Sequence, residues 1–321
     1  MKKAHFFLLF IGLCALSCTR SRTTHTDMQG AINSISVIID DELWNGAVGD
    51  TIRNKFASPV VGLPDEEPLF SINQYPAKLL EGFMSDSRTV IVVKKQPGKK
   101  FQIIRNEFGH KQNVIHISGS TVSEIIQIIE EHAPSMIQMM REAEFAEMRS
   151  RIDTALIDFP GIRNRFRISL KVPQGYKPVL RDHNFLWLKK DIISGNMSIV
   201  VYDLPRMKFG KNIIADILRI RDSVGGKYIQ GTAPDSRMVT EDAYSPYMAQ
   251  VTIAGRKAYE TRGTWELKND FMMGPFVNYA ILDEPNNRIL MVEGFCYAPS
   301  KQKRDLIFEL ETIIRSISFE P

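Results

Sequence analysis

The period of the apolar positions changes along this chain, and each change marks an element. "MKK" followed by "AHFFLLFIGL" is a positive stretch and then an apolar run. The run is too short for a helix that spans a bilayer, which takes about 20 residues. It reads as a removable leader. The polar "TRSRTTHTDMQG" behind it predicts a flexible tether. "SISVIID" is β-branched and apolar, the pattern of a buried strand. A turn at Asn45-Gly46 precedes a helix with Val48, Ile52 and Phe56 on one face, and the three prolines of "ASPVVGLPDEEP" make a loop. "LFSINQYP" and "RTVIVVKK" read as strands with "PAKLLEGF" a short helix between them. "RTVIVVKK", "FQIIRNEF" and "NVIHIS" are expected to form a meander.

"TVSEIIQIIEEHAPSMIQMMREAEFAEMRSRI" is the clearest helix. Thr121 and Glu124 fit a capping box, and Val122, Ile125, Ile126 and Ile129 make an apolar stripe. Pro134 is expected to kink or split it, leaving Met136, Ile137 and Met140 on a second piece that reads as core. From "DFPGIRNRFR" onward strands dominate: "RFRISLKVP", "NFLWLKK", "MSIVVYDLP", "YMAQVTIAG", "KAYETRGTWEL", "FVNYAILDE" and "RILMVEGFCY". One helix, "NIIADILRIRDSV", is expected to stop at Gly225-Gly226. A closing helix is expected to start with Ser300 as its N-cap and to bury Leu306, Leu310, Ile313 and Ile317. "EPNNR" reads as a hairpin loop. The pattern predicts an α+β protein of two domains, each a mainly antiparallel sheet packed with helices. The expected divisions are a leader over 1–17, a tether over 18–33, and domains over 34–154 and 155–321.

Composition changes this picture little. With 44% hydrophobic and 24% charged residues the chain is ordinary for a globular protein. Its formal charge is +4, and loss of Lys2 and Lys3 with a leader would lower it further. That near-balance argues against nucleic acid as a partner, because neutralising a phosphate backbone needs a basic face.

The cysteines say more. Cys14 lies inside the apolar run, while Cys18 follows "ALS" directly behind it, the pattern of a bacterial lipobox. A thiolate is the best side-chain nucleophile for a thioether to diacylglycerol, and several acyl chains give stable anchoring where one is marginal. The alternative is an ordinary leader with incidental cysteines. Cys296, in "VEGFCYAP", is the only other mature cysteine, has no intramolecular partner, and reads as a small buried hydrophobe.

"IIDDELWNGAVGDTIRNKF…PVVGLPDEEPLFSINQYP", "VTIAGRKAYETRGTWEL" and "MMGPFVNYAILDEPNNRILMVEGFCYAPSKQKRDLIFELE" resemble a family of Bacteroidetes lipoproteins catalogued only as the domain of unknown function DUF4837. The resemblance covers essentially the whole mature chain, and the segment with Trp44, Gly46, Gly49 and Arg53 is its most specific part. It implies a lipid-anchored envelope protein and brings no activity. The absence of an acidic cluster after Cys18 favours a periplasm-facing outer-membrane location. More faintly, the second half resembles the PsbP-like α/β/α sandwich, an analogy of fold that carries no function.

Candidate chemistry is sparse. The sequence holds no GxSxG elbow, P-loop, HExxH motif or dinucleotide fingerprint, so no catalytic residue, cofactor or metal is expected. His110 and His116 flank a turn without a third ligand, and His132 and His183 read as solvated. Asp40, Asp41 and Glu42, and Glu66 with Glu67, are clustered carboxylates that suit acid–base work or merely strand-end and loop positions. Arg163, Arg165 and Arg167 alternate with Ile162, Phe166 and Ile168, so a strand would display all three on one face. They would dock an anion or an envelope partner, or stand solvated beside glutamates. Glu260 and Arg262 either pair with each other or, with Trp265 nearby, line a polar groove beside Gly274. Trp44 is a core wedge at a tight turn or a ligand-stacking ring. The expected function is a binding or scaffolding lipoprotein without catalysis. The alternatives are an envelope hydrolase acting on a glycan or peptide through Asp/Glu residues, and a carrier with a closed apolar cavity of about 300 Å³ or more.

Overall fold

β1 (Ser34–Ile38) is buried along its whole length, as its unbroken apolar and small residues require of a central strand. The computed structural model describes residues 30–79, 87–108 and 111–320. The leader, Cys14, Cys18 and most of the tether lie outside the described residues. Ile32 and Asn33, expected in the tether, are already buried. After β1 come α1 (Asp41–Trp44), α2 (Ala47–Phe56), β2 (Ser71–Tyr75), β3 (Thr89–Lys95), β4 (Lys100–Arg105), β5 (Asn113–Gly119) and α3 (Val122–Asp153).

These strands form one sheet in the order β2-β1-β3-β5-β4. The expected meander is absent. β5 lies between β3 and β4, and β1 pairs in parallel with both β2 and β3, as β3 does with β5. Only β4 on β5 is antiparallel, so this sheet is not mainly antiparallel as expected. The reason is burial on both sides. Ile91 and Val93 face α2 and α3, while Val90 and Val92 pack with Ile38 and Val114 on the opposite face. A strand apolar on both faces suits a central parallel position better than a half-exposed meander.

α3 is one unbroken helix of 32 residues; Pro134 does not split it. Pro134 sits on the exposed side, where the carbonyl it leaves unpaired can meet water. Thr121 caps the helix by accepting from the Glu124 N–H, and Glu124 reaches back to the N–H of Ser120, one residue before the usual capping-box partner. The same helix serves two cores: Ile125 to Met140 pack on the first sheet, and Phe145, Met148 and Ile152 on the second.

At the α1–α2 turn, a Cβ on Gly49 would stand 1.8 Å from the Trp44 carbonyl oxygen. Gly49→Ala must therefore force the two helices apart, and is expected to cost about 2–3 kcal/mol, read as a lower urea midpoint at unchanged slope. Trp44, expected as a core wedge, is half-buried: it packs against the first core, with the Arg53 guanidinium 4.5 Å from its ring centre.

The remainder contributes β6 (Leu156–Ile157), α4 (Pro160–Phe166), β7 (Ile168–Ser169), β8 (Val172–Pro173), β9 (Lys177–Asp182), β10 (Phe185–Ile192), β11 (Gly195–Pro205), α5 (Ile213–Tyr228), β12 (Arg237–Thr240), β13 (Tyr247–Ile253), β14 (Arg256–Lys268), β15 (Met273–Asp283), β16 (Arg288–Tyr297), α6 (Arg304–Ile314) and β17 (Ser318–Phe319). An eight-stranded antiparallel sheet runs β12-β14-β15-β16-β11-β10-β9, with β13 also on β14. β6 pairs with β8 and β7 with β17 as two-stranded ribbons.

α6 covers one face of the large sheet, burying Ile307, Leu310 and Ile313 against Val277, Ile281 and Val292. α5 covers the other, burying Ile217 among Val200, Met291 and Phe295. The protein is α+β, with this second sheet sandwiched between helices. From Ala31 onward the chain forms one compact unit.

Both helix ends differ from expectation. α5 continues through Gly225 and Gly226 to Tyr228. A Cβ on Gly225 would already stand 3.4 Å from the Met238 carbonyl, so the glycine lets β12 approach and does not terminate the helix. α6 begins at Arg304, not beside Ser300, and its cap comes from elsewhere. The Glu67 carboxylate accepts from the backbone N–H groups of Lys303 and Arg304, at 2.6 and 2.9 Å.

Candidate functional site

Strand alternation puts Tyr259, Thr261, Gly263 and Trp265 of β14 on the α5 face, opposite Ala280, Asn278, Phe276 and Gly274 of β15. Glu293 of β16 lies opposite both Asn278 and Val200. Over this face α5 lays Ile213, Ile217 and Arg221, one turn apart. Arg221 is 3% exposed. Its guanidinium is 3.9 Å from the Phe276 ring centre and donates to Glu293 Oε1 from Nε at 3.1 Å and Nη2 at 2.9 Å. Nη1 donates to Thr240 Oγ1 at 3.1 Å, and the same nitrogen lies 3.3 Å from Asp222. Burial raises the Glu293 carboxyl above its ordinary pKa, against the pull of Arg221.

Two clefts flank the first turns of α5. One, of about 530 Å³, lies between α5 and residues 240–246 and is lined by Leu218, Asp222, Thr240, Glu241, Asp242 and Pro246. Asp222 and Thr240 thus touch both this cleft and Arg221. Beside it, burial and a hydrogen bond with Glu241 raise the Glu266 carboxyl, while the Ala243 N–H lowers Glu241. The other cleft, of about 580 Å³, is lined by Arg206, Lys208, Phe209, Ile213, Tyr259 and Arg288. Between them lie three oxygen or nitrogen atoms without partners: Thr261 Oγ1 and both amide atoms of Asn278, on side chains with no exposed surface.

Glu260 and Arg262 do pair, but they line no open groove. Residues of even number on β14 face α6, so both are buried there. Arg262 donates to Glu260 at 2.6 Å and to Glu311 of α6 at 2.6 Å, and Tyr279 donates to Glu260 at 2.7 Å. Arg141 of α3 and Arg315 also reach Glu311, at 3.2 and 3.1 Å. Burial alone would lower the Arg262 pKa; Glu311 and Glu260 hold it well above the usual value. Trp265 points to the opposite face, donating to the Cys296 carbonyl at 3.3 Å. Cys296 itself is buried, its thiol pushed up to about 12 by burial.

Arg163, Arg165 and Arg167 do not share a strand face. Pro160 opens α4, and Ile162 and Phe166, four apart, are its buried side. Arg163 stands 3.6 Å from Asp158 and 3.7 Å from Glu320, Arg165 lines a hollow of about 520 Å³ with Arg181 and His183, and Arg167 is the left-handed residue ending the helix. The i, i+4 spacing of Ile162 and Phe166 was the signal for helix over strand.

Of the clustered carboxylates, Glu67 is the α6 cap, and Asp40 makes no side-chain cap bond. His110 lies outside the described residues; His116 contacts Glu107 at 2.5 Å, and His132 stacks on Phe101. Among the described residues no group of three or more His, Cys, Asp or Glu is placed to hold a metal ion. The α5-face residues were missed in the sequence. Their signal was single polar residues inside apolar runs: Asn278 in "FVNYAIL", Glu293 in "LMVEGF" and Arg221 in the apolar row of its helix.

No curated protein matches this sequence. Similar solved structures include the Saccharomyces cerevisiae Ran-binding protein Mog1p, 10% identical, with a TM-score of 0.33 over 48% of this chain and 90% of that one. They also include LpqN, involved in cell envelope biogenesis of Mycobacterium tuberculosis, 12% identical, with a TM-score of 0.29 over 48% of this chain and 83% of that one. Residues 28–153, which hold the Trp44 to Arg53 segment, match a family described as Domain of unknown function (DUF8532), so the resemblance expected over the whole mature chain divides in two. Residues 156–316, half of the chain, match the Domain of unknown function (DUF4837), and the protein belongs to that family.

Proposed function

We propose that this is a lipid-anchored protein of the bacterial cell envelope, periplasm-facing at the outer membrane, that binds or scaffolds a partner without catalysis. The observation that carries binding is the pair of clefts on either side of α5, with buried unpartnered polar atoms between them. The lipobox pattern at Cys18 supports the anchor. Among the described residues no helix is long and apolar enough to cross a membrane.

The test is fractionation with lipid labelling. Cys18→Ser is expected to release the protein from membranes and abolish acylation, while Cys14→Ser leaves both unchanged. Two variants that stay membrane-bound and unacylated would overturn the anchor. Turnover of an envelope substrate by the purified chain, with no reproducible partner in detergent extracts, would overturn the binding role.

A further inference from the structure

We infer that the two clefts are the ends of one groove beneath α5, and that the groove takes a short extended peptide with free termini. The inference rests on the binding reading above and names its ligand. On the α5 face of β14, Tyr259 lines the cleft that holds Ile213. Four residues along, Pro246, which lines the other cleft, stands 3.4 Å from where a Cβ on Gly263 would be. At about 3.3 Å per residue the two positions are roughly 13 Å apart, the length of about four extended residues.

Midway between them sit Thr261 and its register partner Asn278, fully buried, with Thr261 Oγ1 and both Asn278 amide atoms unpartnered. Above them in the inner row of α5 comes Ile217, between Ile213 and Arg221, and an aliphatic side chain can satisfy none of those atoms. Buried polar atoms are ordinarily paired, so an orphaned amide beneath a helix marks a partner that the closed face lacks. A side-chain amide offers one acceptor and two donors, matching the N–H and C=O of a peptide main chain.

The two ends differ in charge. Asp222, Glu241 and Asp242 line one cleft, whose Arg219 is paired with Asp216. Arg206, Lys208, Arg288 and Glu284 line the other; Glu284 pairs with Arg206, and Asp203 and Asp283 hold Arg288, so Lys208, which makes no ion pair among the described residues, is the cation left for a ligand. A free ammonium fits the first end and a free carboxylate the second, where the edge-to-face rings of Phe209 and Tyr259 receive an apolar side chain. An uncharged oligosaccharide matches the hydroxyl and amide but neither end. Entry requires the first turns of α5 to lift, because Asn278 has no exposed surface.

The test titrates the full chain in detergent with a randomised tetrapeptide mixture carrying free termini, with the same mixture blocked at both ends, and with maltotetraose. Saturable binding is expected from the free mixture, weakened about tenfold or more by blocking. Asn278→Leu is expected to weaken it by about tenfold while raising the thermal midpoint of the unliganded protein, since the orphaned amide is gone. Lys208→Glu, on the exposed rim, is expected to weaken binding severalfold at unchanged midpoint, which keeps the test open should Asn278→Leu fold poorly. A merely structural Asn278 would lower the midpoint and leave affinity intact. That result, equal binding of blocked peptide or maltotetraose, or no saturation by about 10 mM, would overturn the inference. Loss of peptide binding with acylation at Cys18 intact would leave the envelope reading standing.

Discussion

Glu311→Gln is expected to destabilise the protein by about 3–5 kcal/mol, the cost of breaking a buried ion pair from one side. Glu311 is 1% exposed and takes guanidinium groups from three elements: Arg141 of α3, Arg262 of β14 and Arg315 just past α6. Glutamine keeps the volume and removes the charge, leaving Glu260 as the carboxylate beside Arg262 and Arg315 and breaking the ion pair of Arg141. Urea unfolding at neutral pH measures the loss. A double change of Glu311→Leu with Arg262→Met should recover part of it, because the damage lies in the stranded charge.

The same carboxylate sets an acid limb of stability. Burial by itself would raise the Glu311 pKa, but Arg262, Arg141 and Arg315 outweigh it and hold the group at about 2. A folded-state pKa below the unfolded value stabilises above the unfolded value, and the contribution is lost as pH falls through the folded one. The wild-type urea midpoint should therefore fall from about pH 4.5 toward pH 2, and Glu311→Gln should flatten that slope. Glu144 and Glu293, raised by burial, act in the opposite sense and favour the fold as they take up protons.

Glu67→Ala is expected to cost about 2–4 kcal/mol, because it strips the cap from α6 and leaves two buried N–H groups unpaired. The cap is also a tie between the halves of the chain. Arg304 donates to the Pro68 carbonyl and the Ser71 hydroxyl, Asn33 donates to Asp305, and Arg141 meets Glu311. Loosening α6 at its first turn should therefore lower the unfolding midpoint reported by Trp44, which ends α1 against the first core, as well as by Trp265 on the second sheet. A midpoint that moves for Trp265 alone would show that the cap acts only within α6.

What the sequence determined by itself was local. The β-branched runs became β1 and β3, Thr121 and Glu124 capped α3, "EPNNR" turned between β15 and β16, and Cys296 was buried. Each depends on residues within a turn or two of one another, so period, capping and turn chemistry read them directly. What only the tertiary structure decided was who stands beside whom. β5 inserted between β3 and β4 because both faces of β3 needed cover. Glu260 and Arg262 lost their groove because Glu311 descended on them from α6, 49 residues beyond Arg262. Glu67 became the cap of a helix 236 residues away, and Thr261 and Asn278 met beneath α5 with no partner. Such contacts carry no local periodicity: their free energy is gained only when distant segments close, which is why a single run of residues cannot announce them.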